Sequence, residues 1–119
     1  MDRANQGDSK GAIEELQSLE SEMPGDPRIA LSLGFLYQST DQNDLAISEL
    51  EKAVGLNPSW EAYYALGLLY EAKMVEGNSD SWMPKAEVAW QDFLKLAPHD
   101  HLRRATGEKH LKSLRNQGS

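Results

Sequence analysis

The sequence predicts an all-α fold built from antiparallel helix pairs, and two repeated patterns carry that prediction. The first is a Leu-Gly-x2-Tyr step, at Leu33-Gly34 with Tyr37 and again at Leu66-Gly67 with Tyr70, 33 residues apart. The second is a ladder: a small residue, a large one four later, an apolar one three after that, and a proline five further on. It runs through Ala12, Leu16, Leu19 and Pro24, then Ala46, Leu50, Ala53 and Pro58, then Ala86, Trp90, Phe93 and Pro98. Steps of four and three place side chains on one helix face. Proline ends each run because it has no N–H to donate to the helix.

The elements follow in order. "GAIEELQSLESEMP" (11–24) predicts a lone helix over 9–23, entered from a turn at Gly7-Asp8. "ALSLGFLYQS" (30–39) and "DLAISELEKAVGLNP" (44–58) predict one helix pair, and "YYALGLLYEA" (63–72) with "KAEVAWQDFLKLAP" (85–98) a second. Gly67 interrupts an apolar helical run at a cost of about 1 kcal/mol relative to alanine. The small residues Gly34, Gly67, Ala46 and Ala86 are read as the places where paired helices come close, so a larger side chain there should overpack. Gly67→Ala is expected to be mild if room exists.

Between Tyr70 and Ala86 lie 15 residues, against eight between Tyr37 and Ala46, an insertion of seven. Gly77, Asn78, Ser79, Asp80 and Ser81 predict a loop there. Pro84 is placed in the first turn of the next helix, and Trp82 is expected to fold back onto its own repeat, with a partner contact as the alternative. At the C-terminal end Gly107 lies nine residues after Pro98, as Gly67 does after Pro58, and His110 falls in the register of Tyr37 and Tyr70. Residues 100–116 are therefore expected to form a further helix. Asp100 is its expected N-cap, and Arg103, Lys109, Lys112 and Arg115 make its outer face polar, as a terminal capping helix requires.

These segments resemble the tetratricopeptide repeat, W-x2-L-G-x2-Y followed by A-x3-F and P over about 34 residues. The middle repeat supplies Ala30, Leu33, Gly34, Tyr37, Ala46, Leu50, Ala53 and Pro58. The third supplies Tyr63, Leu66, Gly67, Tyr70, Ala86, Trp90, Phe93 and Pro98. Ala30 and Tyr63 stand at the family's Trp, and Leu50 and Trp90 at its Phe. The resemblance implies a right-handed superhelical array of about six helices forming a single domain over 1–119. Within it, 7–26 would be the second helix of a truncated first repeat, 27–58 the second repeat, 59–98 the third, and 99–119 the capping helix and tail. The missing first helix implies either that the chain is cut from a longer array, the reading favoured, or that the lone helix of 9–23 caps the stack.

Composition narrows function. The chain has 119 residues, a net charge of −7 and no cysteine, so thiolate metal sites and disulfides are excluded. Residues 1–98 carry a net −10 and 99–119 a net +3. An acidic chain is a poor nucleic-acid binder, because phosphate affinity rests on Lys and Arg, and the basic tail is read as complementing helix C-termini. No stretch is apolar enough for membrane insertion, and the chain reads as soluble, with the cytoplasm favoured. No cofactor is expected. His99, Asp100 and His101 are read as a helix start and not a metal site, since i and i+2 face apart on a helix. No nucleophile elbow, Gly-rich phosphate loop or H-E-x-x-H motif is present, so no enzymatic activity is expected.

The family's geometry points instead to a concave face lined by first helices. In the middle repeat this face would hold Arg28, Leu31, Phe35 and Gln38. The third repeat would add Glu61, Tyr64, Leu68 and Glu71, and the capping helix His101, Arg104, Glu108 and Leu111. Leu31, Phe35 and Glu61 take the places where some family members grip a carboxylate with Lys, Asn and Arg, so that clamp is not expected. An apolar centre with charged rims suits a protein or peptide segment anchored by aromatics. The expectation is a non-enzymatic interaction module, with Leu31, Phe35, Tyr64 and Leu68 as one apolar strip. The alternative is a structural module that uses the same face for homo-oligomer formation or for stacking on further repeats.

Overall fold

Glycine and proline set most of the helix ends in the computed structural model, which describes residues 2–118, with side chains from 8 to 117. The described residues form six α-helices and no strand: α1 (Asp2–Glu22), α2 (Pro27–Ser39), α3 (Asn43–Leu56), α4 (Trp60–Glu76), α5 (Ser79–Leu96) and α6 (Arg103–Gly118). The chain divides into two compact units, Met1–Asn57 and Pro58–Ser119.

In the first unit, α2 starts at Pro27, whose missing N–H costs nothing at the first helical position. The Asp26 side chain caps it by accepting from the Arg28 N–H at 2.9 Å. α3 stops at Leu56 because Asn57, which precedes Pro58, is extended. The two helices pair around Leu33, Tyr37, Ala46 and Leu50, all buried. A Cβ on Gly34 would lie 2.5 Å from Leu50 Cγ, so glycine is needed for this approach. α1 adds Ile13 to the core and ties to α2 by a hydrogen bond from Gln17 Nε2 to the Tyr37 hydroxyl at 2.8 Å.

The expected turn at Gly7-Asp8 is not there: α1 runs through it from Asp2. A Gly-Asp pair without proline weakens a helix but does not end one.

In the second unit, Ser59 caps α4 by accepting from the Ala62 N–H at 3.3 Å. α4 and α5 pack around Trp90 and Phe93, both fully buried. Gly67 meets Trp90 as Gly34 meets Leu50: an added Cβ would lie 2.5 Å from the indole Cε2. Gly107 of α6 repeats the relation against Phe93, at 2.6 Å. Each of these glycines thus makes room for a large side chain of a neighbouring helix. α6 buries Leu111 and Leu114 and exposes Lys109, Lys112 and Arg115, which agrees with its expected polar outer face.

The insertion is not a loop. α4 is 17 residues long against 13 for α2, and α5 is 18 against 14 for α3. Only Gly77 and Asn78 separate α4 from α5. The added sequence is therefore about one extra turn on each helix, and Ser79, Asp80 and Ser81 are helical. The break is confined to two residues with left-handed backbone, Gly77 (φ 138°) and Asn78 (φ 58°). Because α5 begins at Ser79, Pro84 lies inside the helix and not in its first turn, and it cannot donate to the carbonyl of Asp80. Trp82 folds back as expected, stacked on Tyr70 with ring centroids 5.8 Å apart. Lys85 and Lys73 sit 5.1 Å and 5.8 Å from the Trp82 ring centre.

Candidate functional site

In the first unit, the residues expected to bind lie along α2 at steps of three, four and three, which keeps them on one face. Phe35 is 36% exposed, a large share for an apolar ring. Leu31 and Gln38 are half-buried and Arg28 is exposed. The Arg28 guanidinium is occupied at home, with Nη2 2.9 Å from Asp26 Oδ2. That hydrogen bond holds the Asp26 carboxyl below its ordinary value and raises Arg28 in turn.

In the second unit, Glu61, Tyr64, Leu68 and Glu71 repeat the same spacing on α4, and α6 supplies the residues beside them. Tyr64 is half-buried, its ring edge-on to Trp90 at 5.5 Å and tilted against Phe93 at 5.2 Å. The Arg103 guanidinium lies over the Tyr64 ring, 4.8 Å from its centre. Arg103 was expected on the outer face of α6; the attraction between a cation and an aromatic face accounts for the difference. Leu68 is half-buried and Glu61 exposed.

Glu71 has a structural role. Its Oε2 accepts from Trp90 Nε1 at 2.7 Å, and His110 Nδ1 lies 2.7 Å from the same oxygen. The carboxylate oxygen only accepts, so Nδ1 is the nitrogen that carries a proton. His110 also stacks on Trp90, centroids 4.8 Å apart. One carboxylate thereby satisfies the indole N–H of the largest core residue and fixes α6 over it.

Arg104 is similarly engaged. Its Nη1 donates to the carbonyls of Leu94 at 2.7 Å and Ala97 at 3.0 Å, which closes the C-terminus of α5. His101 packs against Trp60 at 4.4 Å, and its Nδ1 accepts from the Arg103 N–H at 3.1 Å. His101, not Asp100, is therefore the side chain that caps α6. Glu108 is exposed, while Leu111 is only 7% exposed and faces the core.

Sequence reasoning missed Trp60 and the placement of Arg103. Trp60 opens α4 before the repeat motif begins, and a cation resting on a ring one helix away leaves no trace in local spacing. Among the described residues, no group of three His, Cys, Asp or Glu side chains is placed to hold a metal ion, and no helix is long and apolar enough to cross a membrane.

The chain is 28% identical over 109 residues to photosystem I assembly protein Ycf3 of Prochlorococcus marinus (strain NATL2A), an alignment covering 82% of this chain and 63% of that protein. The chain thus spans less than two thirds of that relative's length. The family profile described as tetratricopeptide repeat matches residues 4–69, more than half of the chain. With the glycine-to-large-residue contacts recurring at the repeat's own positions, this places the chain in the tetratricopeptide repeat family.

Proposed function

We propose that the chain binds a protein or peptide segment on the faces of its first helices. In this reading Leu31 and Phe35 anchor the α2 face, with Arg28 and Gln38 as its polar surroundings, and Tyr64 and Leu68 anchor the α4 face beside Glu61, while Glu71 and Arg104 serve the fold of the second unit. Tetratricopeptide repeats in general mediate protein–protein interaction, and the named relative is an assembly protein. For this chain the shared element is the holding of another protein, a binding role and not a catalytic one. The observation that carries the proposal is Phe35, an aromatic side chain 36% exposed at the centre of the α2 face. Exposed aromatics in such positions contribute heavily to interfaces.

Phe35→Ala is the clean probe. It should weaken partner binding by about 1–3 kcal/mol, as anchor truncations do, with little change in stability. Tyr64→Ala serves less well, because the ring also packs on Trp90 and Phe93 and its loss will lower stability as well. Unchanged affinity in Phe35→Ala, measured by titration calorimetry on the purified partner, would refute the reading.

A second reading, self-association, is favoured by α1. The ladder that is fully buried in α3 and α5 is open there, with Leu19 40% exposed and Met23, one turn on, 47% exposed. Sedimentation across a hundredfold concentration range separates the two readings. Binding alone predicts a monomer throughout. Self-association predicts an oligomer that Leu19→Glu dissolves.

A further inference from the structure

α1 meets α3 through three charged side chains. Lys52 Nζ of α3 lies 3.1 Å from Glu20 Oε2 of α1. Glu49, one turn before Lys52, directs its carboxyl to Glu20 as well, close enough to share a hydrogen bond. Its Oε1 is buried and has no hydrogen-bond partner among the described residues. α2 adds no charge at this point: its one charged side chain, Arg28, is exposed and held by Asp26, and its Tyr37 hydroxyl accepts from Gln17.

One lysine can neutralise one carboxylate. The second is left facing a like charge in a place partly removed from water, where the ionised form is disfavoured. A proton resolves the conflict, because a neutral Glu49 donates to Glu20 while Glu20 keeps its lysine.

We propose that Glu20, Glu49 and Lys52 form a proton-operated latch between α1 and α3. With a proton shared by the two carboxyls, α1 is fastened to α3; without it, the two carboxylates push the helices apart at that point.

Burial, the hydrogen bond to Glu20 and the charge of Glu20 push the Glu49 carboxyl up to about 7, with Lys52 opposing them. Its ordinary value is 4.5. Between these values the folded chain holds a proton that the unfolded chain has lost, so stability falls as pH rises through that window. The latch is closed below 4.5, opens progressively toward 7 and changes no further above it. α1 also walls a depression of about 810 Å³, whose lining includes Ile13 and Gln17 of α1, Tyr37 of α2 and Leu45 of α3.

The test is thermal unfolding of the whole chain from pH 5 to pH 8.5, comparing the wild type with Glu49→Gln. The amide of the variant donates to Glu20 at every pH, so its midpoint should vary less. The wild type should lose on the order of 5 °C more than the variant across the range. Every group other than Glu49 is common to both proteins and cancels in the difference. The wild-type carboxyl carbon shift of Glu49, followed by nuclear magnetic resonance, reads the same proton directly and needs no variant. A midpoint near neutral pH supports the latch. Superimposable unfolding profiles, or a Glu49 shift that titrates in the ordinary carboxylate range, would overturn it.

Discussion

Replacing Gly67 by alanine adds one methyl group to α4, and the structure fixes what that methyl meets. Its ideal position lies 2.5, 2.8 and 2.9 Å from Cε2, Cζ2 and Cδ2 of Trp90, well inside carbon–carbon contact distance. The indole has nowhere to retreat. It is fully buried, its N–H is held by Glu71, His110 stacks on it, and Tyr64 and Phe93 abut it edge-on. Overpacking of this kind costs about 1–3 kcal/mol, and a rigid ring puts the cost toward the upper end. The gain in helix propensity from Gly to Ala returns about 1 kcal/mol, which leaves a net loss of about 1–2 kcal/mol. The sequence alone allowed for a mild effect; the contact removes the room that expectation needed. Thermal unfolding followed by circular dichroism should show the midpoint down by about 5 °C. Gly11→Ala is the internal control. It lies within α1, its added Cβ meets nothing within 4 Å, and it should gain up to about 1 kcal/mol. A Gly67→Ala protein that melts at or above the wild type would refute the reasoning.

Two further changes test the packing of the second unit. Glu71→Ala leaves the buried Trp90 indole N–H without its acceptor and frees His110, so urea unfolding should show a loss of about 1–3 kcal/mol. His110→Ala made on top of it should then cost less than it does in the wild type, since the two share one network. Trp82→Ala removes the stack on Tyr70 and should cost about 0.5–1.5 kcal/mol beyond its lost burial. An unchanged midpoint would mean that the added turns of α4 and α5 contribute nothing to the fold.

The pairing of helices was legible because it is written in steps of three, four and 33 residues. Ala46, Leu50 and Ala53 mark one buried face, and Ala86, Trp90 and Phe93 its copy, with no knowledge of tertiary contacts required. The insertion was misread because Gly, Asn, Ser and Asp also populate helix ends, so composition alone does not separate a seven-residue loop from two added turns. The backbone of Gly77 and Asn78 makes that distinction. Of the expected binding residues, sequence placed Phe35 on an open face correctly. It could not show that Glu71 and Arg104 are committed to Trp90 and to the end of α5, because those bonds join residues 7 to 19 positions apart that lie on different elements. Nor could it show the Glu20–Glu49 contact, where two acids that read as a solvated surface meet between helices.

The central claim, that a partner protein is held on the first-helix faces, is tested most directly by site-specific photo-crosslinking. A photoreactive side chain at Phe35 of α2 is compared with one at Val88 of α5, a second helix, where the native side chain is 54% exposed. Crosslinking of the partner from position 35 and not from position 88 is the predicted result. Equal crosslinking from both positions, or crosslinking from position 88 alone, would contradict the account.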